Sequence, residues 1–81
     1  SSTQVNVFPN PARNEIYVEL PAQVTKTATL SIHNAFGQLI YQTNQVVNLQ
    51  NIATAAWSEG VYFITVADAQ QRAIRKFFVR R

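Results

Sequence analysis

The stretch Glu15–Leu20, which reads EIYVEL, decides the fold because every second residue in it is aliphatic. Side chains alternate between the two faces of a β-strand, so Ile16, Val18 and Leu20 share one face. The two glutamates and the tyrosine between them share the other face. This pattern predicts a strand with one face in a core and the other in solvent.

The same alternation recurs along the chain. Thr27–His33 (TATLSIH) repeats it with many β-branched residues, which suit a pleated surface. Gly60–Ala67 is apolar on both faces, as is typical of a central strand covered on both sides. Further strands are predicted at Val5–Phe8, Leu39–Gln42, Val46–Leu49 and Arg72–Arg81. About seven short, mostly antiparallel strands predict an all-β sandwich.

Turn signals separate these strands. Phe8–Pro11 (FPNP) ends the first strand, because proline lacks an N–H and extends the residue before it. Asn34–Gly37 (NAFG) predicts a hairpin turn in which Gly37 adopts a positive φ. Asp68–Gln71 predicts a second hairpin, which places the last strand beside Gly60–Ala67.

One segment departs from the period of two. Between Leu49 and Gly60 the apolar residues recur at helical spacing, and Asn51 is a suitable N-cap. We therefore expect one short helical turn near residues 51–57, ended by Gly60. Trp57 lies at helical spacing from Ala53 and is expected in the core.

Composition limits the class of protein. The 81 residues are 47% hydrophobic, which is enough for one small domain with a core, here residues 1–81. The absence of Cys and the single His exclude a disulfide scaffold and a zinc cluster of those residues. Ser1–Gln4 resembles neither a signal peptide nor a natural start, so we expect a piece of a larger polypeptide.

The positive charge is concentrated at one end. The net charge is +3, yet residues 72–81 hold five basic residues and no acidic one. Residues 1–71 hold two basic and four acidic residues. This distribution indicates a basic last strand on a mildly acidic body and argues against a nucleic-acid-binding protein.

Catalytic chemistry is poorly represented. Glu15 and Glu19 lie about 13 Å apart along a strand, beyond the roughly 5–9.5 Å of paired glycosidase carboxylates. His33 shares a strand face with Ser31, which is ordinary for a polar strand face, and we interpret it as structural. A calcium site at Asp68 or at a cluster of asparagines is a weak alternative, because the ion prefers several oxygen ligands. The residues therefore predict no enzyme, no cofactor and no metal.

The last strand permits several interpretations. Both of its faces mix charged with apolar residues, so the pattern leaves open which face is buried. Arg72–Arg81 is either an edge strand whose cations prevent edge-to-edge association or a surface that recognises a protein partner. Nucleic-acid binding by interleaved cations and aromatic rings is the weakest interpretation.

Four segments, taken together, resemble a known family. They are Val7–Ala12 (VFPNPA), Ile32–Ile40 (IHNAFGQLI), Gly60–Val66 (GVYFITV) and the basic-then-apolar Arg75–Val79 (RKFFV). We number them motifs 1 to 4 in chain order. Their order, spacing and total length are similar to those of the type A C-terminal sorting domain of type IX (Por) secretion-system cargo. The resemblance covers essentially the whole chain.

The resemblance implies an immunoglobulin-like sandwich that acts as a non-catalytic secretion signal. The parent protein would enter the periplasm, be read by the type IX translocon and cross the outer membrane to the cell surface or medium. In many members a surface sortase cleaves near the position of Ser1–Thr3 and joins the cargo to lipopolysaccharide, whereas other members keep the domain. The parent's identity is not implied.

Candidate site residues follow from the terminal position and the motifs. Partner recognition is expected at the basic end, at Arg75, Lys76, Phe77, Phe78, Val79, Arg80 and Arg81. Motif or turn roles are expected for Pro9, Asn10, Pro11, Gly37, Gly60 and Tyr62. Tyr62 and Phe63 must point to opposite faces of their strand, so only one of them can pack in a given core.

Two other function classes stay open at this level. The first is a retained carbohydrate- or protein-binding module of a surface protein that uses exposed Tyr17, Tyr41 or Trp57. The second is a self-associating module whose end strands pair or swap to form a homodimer.

Overall fold

A computed structural model describes residues 4–21 and 27–81 as two antiparallel β-sheets packed into a sandwich. The strands are β1 (Asn6–Phe8), β2 (Glu15–Glu19), β3 (Thr29–Asn34), β4 (Leu39–Thr43), β5 (Leu49–Ala53), β6 (Gly60–Ala67) and β7 (Arg72–Val79). One sheet has the order β1-β2-β5 and the other the order β4-β3-β6-β7. The predicted all-β sandwich is confirmed, and its immunoglobulin-like topology stays a prediction.

The core forms where the predicted alternation places it. In β2, Ile16 and Val18 are fully buried, and Leu20 just beyond the strand is buried with them. In β3, Leu30 and Ile32 are the buried residues. Burial of each such side chain contributes about 1.5–3 kcal/mol, so these alternating positions hold the two sheets face to face.

Strand β6 is central, as predicted, because it lies between β3 and β7. The expectation that both of its faces are covered is wrong. Tyr62, Ile64 and Val66 are buried, whereas Phe63 on the other face is 36% exposed. Within the described residues, no layer lies over this second face of the four-stranded sheet.

The predicted helical turn near residues 51–57 is wrong. Leu49–Ala53 forms strand β5, which pairs with β2 along its whole length. Beyond it there is one tight turn, in which the Trp57 N–H donates to the Thr54 carbonyl at 3.0 Å. Gly60 begins β6 instead of ending a helix.

Polar residues at inward positions explain this error. The inward side chains of this segment are Gln50, Ile52 and Thr54, so only one of the three is aliphatic and the period of two is hidden. Asn51, expected as an N-cap, lies in the strand and donates to the Glu15 carboxylate at 3.0 Å. The strand expected at Val46–Leu49 begins only at Leu49.

Both predicted hairpins are confirmed. The β3–β4 turn contains Gly37 at φ 84°, a left-handed conformation that favours glycine. The β6–β7 turn is closed by the Asp68 N–H, which donates to the Gln71 carbonyl at 2.9 Å. The second hairpin places the basic strand β7 at the edge of the four-stranded sheet. Nowhere in residues 4–21 and 27–81 does a helix reach the length and apolarity needed to cross a membrane.

Candidate recognition site at the terminal strand

One face of β7 is buried and the other is exposed, which answers the question of which face enters the core. Ala73, Phe77 and Val79 are buried in the core between the sheets. Lys76 and Phe78 lie on the solvent side, and the Phe78 side chain is 45% exposed. Two of the seven predicted recognition residues, Phe77 and Val79, are therefore core residues and cannot contact a partner of the folded domain.

Phe77 belongs to a buried aromatic stack. Its ring lies 5.6 Å from the Tyr62 ring, and the Tyr62 ring lies 5.2 Å from that of Trp57. The Tyr62 hydroxyl donates to the Ser58 carbonyl at 2.7 Å, so its polar end is satisfied although the ring is buried. The motif residue Tyr62 thus stabilises the fold, and Trp57 packs against the core as predicted.

The first motif covers part of the exposed edge of β7. After the cis peptide bonds before Pro9 and Pro11, the chain crosses to the other sheet and runs beside the terminal strand. The Asn10 side-chain oxygen accepts the Phe78 N–H at 3.0 Å. The Ala12 N–H donates to the Phe78 carbonyl at 2.7 Å, and its carbonyl accepts the Arg80 N–H. Motif 1 and the last strand therefore form one hydrogen-bonded unit.

Asn10→Ala is expected to lower the free energy of unfolding by about 0.5–1.5 kcal/mol, the usual net contribution of one hydrogen bond. The substitution removes the acceptor for the Phe78 N–H. Urea unfolding of both proteins measures the difference. Asn10→Asp keeps a side-chain oxygen at this position and should lose less. Equal losses for the two variants would show that the hydrogen bond is not what Asn10 contributes.

Arg81 serves the fold through its backbone and its side chain. Its N–H donates to a Glu59 carboxylate oxygen at 2.9 Å. Its guanidinium donates to the carbonyls of Arg13, Thr54 and Trp57. Those carbonyls lie in two separate loops, so the last residue joins the start of β2 to the turn after β5.

The Arg75 side chain also forms hydrogen bonds within the domain. It lies on the inward side of β7, between Ala73 and Phe77. Its Nε donates to the Val5 carbonyl at 3.1 Å, and Nη1 donates to its neighbour Ile74. Arg75 therefore bridges the edges of the two sheets, where β1 passes close to β7.

The remaining predicted recognition residues are Lys76, Phe78 and Arg80, which lie on one exposed face. The Lys76 ammonium lies 5.9 Å from the centre of the Phe78 ring, within the range of a cation–π interaction. Neither β6 nor β7 contains an acidic residue. We call Arg72, Ile74, Lys76, Phe78 and Arg80 the outer row of the terminal strand.

Motifs 2 and 3 meet at a second place. An open groove lies between the β3–β4 turn and the segment that leads into β6, and Phe36, Trp57 and Val61 contribute to its walls. Phe36 is 89% exposed at the tip of a turn held by the Asn34 side-chain oxygen, which accepts two backbone N–H groups. The four motif segments thus form two pairs, and the groove is separate from the outer row.

His33 lies among ordinary strand neighbours in the described part of the chain. In the register of the sheet its neighbours are Leu39 and Phe63, and the hydroxyl of Ser31 accepts a hydrogen bond from Gln42 at 3.2 Å. Among residues 4–21 and 27–81, no three His, Asp or Glu side chains lie close enough together to hold a metal ion.

The aromatic residues of the rival binding module lie in different environments. Tyr17 stacks on Phe8, at 5.7 Å between ring centres, on the three-stranded sheet. Tyr41 and Trp57 pack against the core. Within the described part of the chain, no ring contact joins these three aromatic residues into one platform.

The sequence prediction missed two roles. Asn10 accepts a backbone N–H on the edge of β7, and the Arg81 side chain joins two loops. A partial signal was present for Asn10, because it lies between two prolines in a turn, where asparagine side chains commonly hydrogen-bond to backbone. No local pattern marks Arg81, whose partners are distant in sequence.

Comparison with family models gives one match. A model described as a secretion system C-terminal sorting domain matches residues 6–80, which is essentially the whole chain. Comparison with curated proteins gives no match.

Proposed function

Because the chain belongs to the family of type IX secretion-system C-terminal sorting domains, we propose that the machinery reads it as a folded domain, through the outer row of β7. A sorting tail of this family directs export across the outer membrane, to the cell surface or the medium. The family also implies an interaction with the type IX machinery.

The observation that carries the proposal is that some residues of the terminal strand serve the fold whereas others stay exposed. Phe77 and Val79 are buried, and Arg75 and Arg81 are bonded to backbone carbonyls of the domain itself. The basic and aromatic side chains that stay available are those of the outer row. A folded domain can be recognised only through such exposed side chains and backbone.

The finer steps of the pathway form part of the same proposal. The parent protein passes through the periplasm, and after export a surface sortase removes the domain upstream of β1 and attaches the cargo to lipopolysaccharide. The family resemblance supports this order of events. The expected cleavage region, residues 1–3, lies outside the described residues.

The double substitution Lys76→Gln and Arg80→Gln is expected to reduce secretion of a fused reporter by about fivefold to twenty-five-fold. Two exposed charge contacts at roughly 0.5–1 kcal/mol each correspond to a loss of this size. The reporter follows an export signal and precedes residues 1–81, and its amounts in the periplasm and the medium are compared.

The matched control is Asn44→Asp with Gln45→Glu, because it lowers the net charge by the same two units at exposed positions that follow β4, at the opposite edge of the sheet from β7. This control should be secreted like the unmodified chain. If both double variants are secreted equally well, the outer row is not the recognised feature.

A further inference from the structure

The exposed edge of β7 is covered over only half of its length. Motif 1 engages the backbone of Phe78 and Arg80, and its isolated bridge pairs Ala12 with Val79. In an antiparallel ladder, successive residues direct their backbone groups alternately toward one neighbour and then the other. The backbone N–H and carbonyl of Phe78 point away from β6, so those of Ile74 and Lys76 do so as well. No described strand pairs with Ile74 and Lys76 on that side.

The side chains at this open half form a distinct pattern. Arg72 and Lys76 lie four residues apart on the outer face, about 13 Å along the strand. Ile74 lies midway between them and is 51% exposed. The Ile74 carbonyl accepts a hydrogen bond from the Arg75 Nη1 at 2.9 Å, so the open backbone groups on this edge are the Ile74 N–H and the N–H and carbonyl of Lys76. They lie beside two cations with one apolar side chain midway between them.

This charge pattern opposes pairing with a second copy of β7. Antiparallel pairing centred on Ile74 would place Arg72 of one copy opposite Lys76 of the other, and like charges directly opposite are destabilising. Other registers provide no acidic partner, since residues 72–81 contain none. The positive charges therefore disfavour pairing of this edge with a second copy of β7 and favour pairing with an acidic strand.

We propose that the open edge at Arg72–Lys76 is a strand-addition site for an extended, acidic segment of a partner protein. The segment carries two carboxylates four residues apart, with an apolar residue midway on the same face. Backbone hydrogen bonds to the Ile74 N–H and to the N–H and carbonyl of Lys76 supply affinity, and the two cations select the carboxylates. The identification of that partner with a component of the secretion machinery rests on the proposed function above.

The chain itself contains this complementary pattern in β2. Glu15, Tyr17 and Glu19 share one face at the required spacing. Strand β2 pairs with β1 on one side and β5 on the other, so it cannot add to another sheet in the folded domain. Its sequence nevertheless supplies a suitable probe, the peptide Ser-Ser-Glu-Ile-Tyr-Val-Glu-Ser-Ser.

The test measures binding of this peptide to residues 1–81 and the hydrogen exchange of individual amides. The glutamate peptide should slow exchange at Ile74 and Lys76. A control peptide with lysines in place of both glutamates should bind about tenfold more weakly or worse, since each cross-strand charge pair is worth up to about 1 kcal/mol. Equal binding of the two peptides, or protection confined to other amides, overturns the proposal.

Two substitutions at one position separate the edge from its side chain. Ile74→Ala and Ile74→Pro both remove the isoleucine, but only proline removes the outward N–H and obstructs an added strand. The alanine variant should still protect Lys76 from exchange when the peptide is added, and the proline variant should not. Thermal unfolding confirms that both variants are folded. If both bind the peptide equally, strand addition is wrong.

Reporter secretion distinguishes failure of this inference from failure of the proposed function. If the unmodified chain directs secretion and the folded Ile74→Pro variant does so equally well, the edge is not used and the inference fails alone. If the unmodified chain does not direct secretion, the proposed function fails, whereas the peptide measurements still decide whether the edge adds a strand.

Discussion

Phe77→Ala is expected to lower the free energy of unfolding by about 3–5 kcal/mol, the usual range for truncating a buried phenylalanine. The Phe77 side chain is completely buried, and its ring stacks on that of Tyr62. The substitution removes apolar contacts and leaves a cavity between the two sheets. A loss of this size is a large fraction of the whole stability of a small domain, so much of the protein should be unfolded at 37 °C.

The neighbouring Phe78→Ala is the matched control. The same atoms are removed from a side chain that is 45% exposed, so stability should change by no more than about 1 kcal/mol. Urea unfolding of the two variants in parallel measures the difference. Similar losses at Phe77 and Phe78 would contradict the assignment of one face of β7 to the core and the other to solvent.

Arg81→Ala is expected to lower the free energy of unfolding by about 1–3 kcal/mol, because hydrogen bonds from a charged group contribute more than neutral ones. The variant loses the guanidinium that donates to the carbonyls of Arg13, Thr54 and Trp57. Thr54 is fully buried, so its carbonyl has little access to water as a replacement. Thermal unfolding should show a lower midpoint.

Arg80→Ala tests whether the effect is specific to the last residue. Its backbone N–H bonds to the Ala12 carbonyl and is kept in the variant, whereas its side chain lies in the exposed outer row. The unfolding midpoint should therefore hardly change, and any loss should appear in secretion. A larger loss of stability for Arg80→Ala than for Arg81→Ala would contradict the stabilising role of the Arg81 guanidinium.

Single substitutions locate the secretion signal more reliably than truncation of the terminal strand. Removing residues 77–81 would delete two core side chains and the Arg81 contacts together with the exposed residues. A secretion defect after such a truncation would report unfolding as much as lost recognition. Substitutions confined to Lys76, Phe78 and Arg80 change the surface while keeping the core.

Local patterns were sufficient for most of the strands. In β2, β3 and β6 the inward positions are aliphatic or aromatic, and the period of two identifies each strand from a few residues. The same reasoning failed at β5, because Gln50 and Thr54 occupy inward positions and their polar groups are satisfied by backbone partners. A buried polar residue with its own partner cannot be recognised from hydropathy alone.

The sequence by itself determined the positions of most strands, the two hairpin turns and the basic character of residues 72–81, because these depend on residues close together along the chain. Only the tertiary structure decided which face of β7 is buried, since both faces mix charged and apolar residues and the position of the second sheet selects between them. It also decided which part of the β7 edge is covered. Asn10 and Phe78 are 68 residues apart, and folding alone brings them within hydrogen-bonding distance.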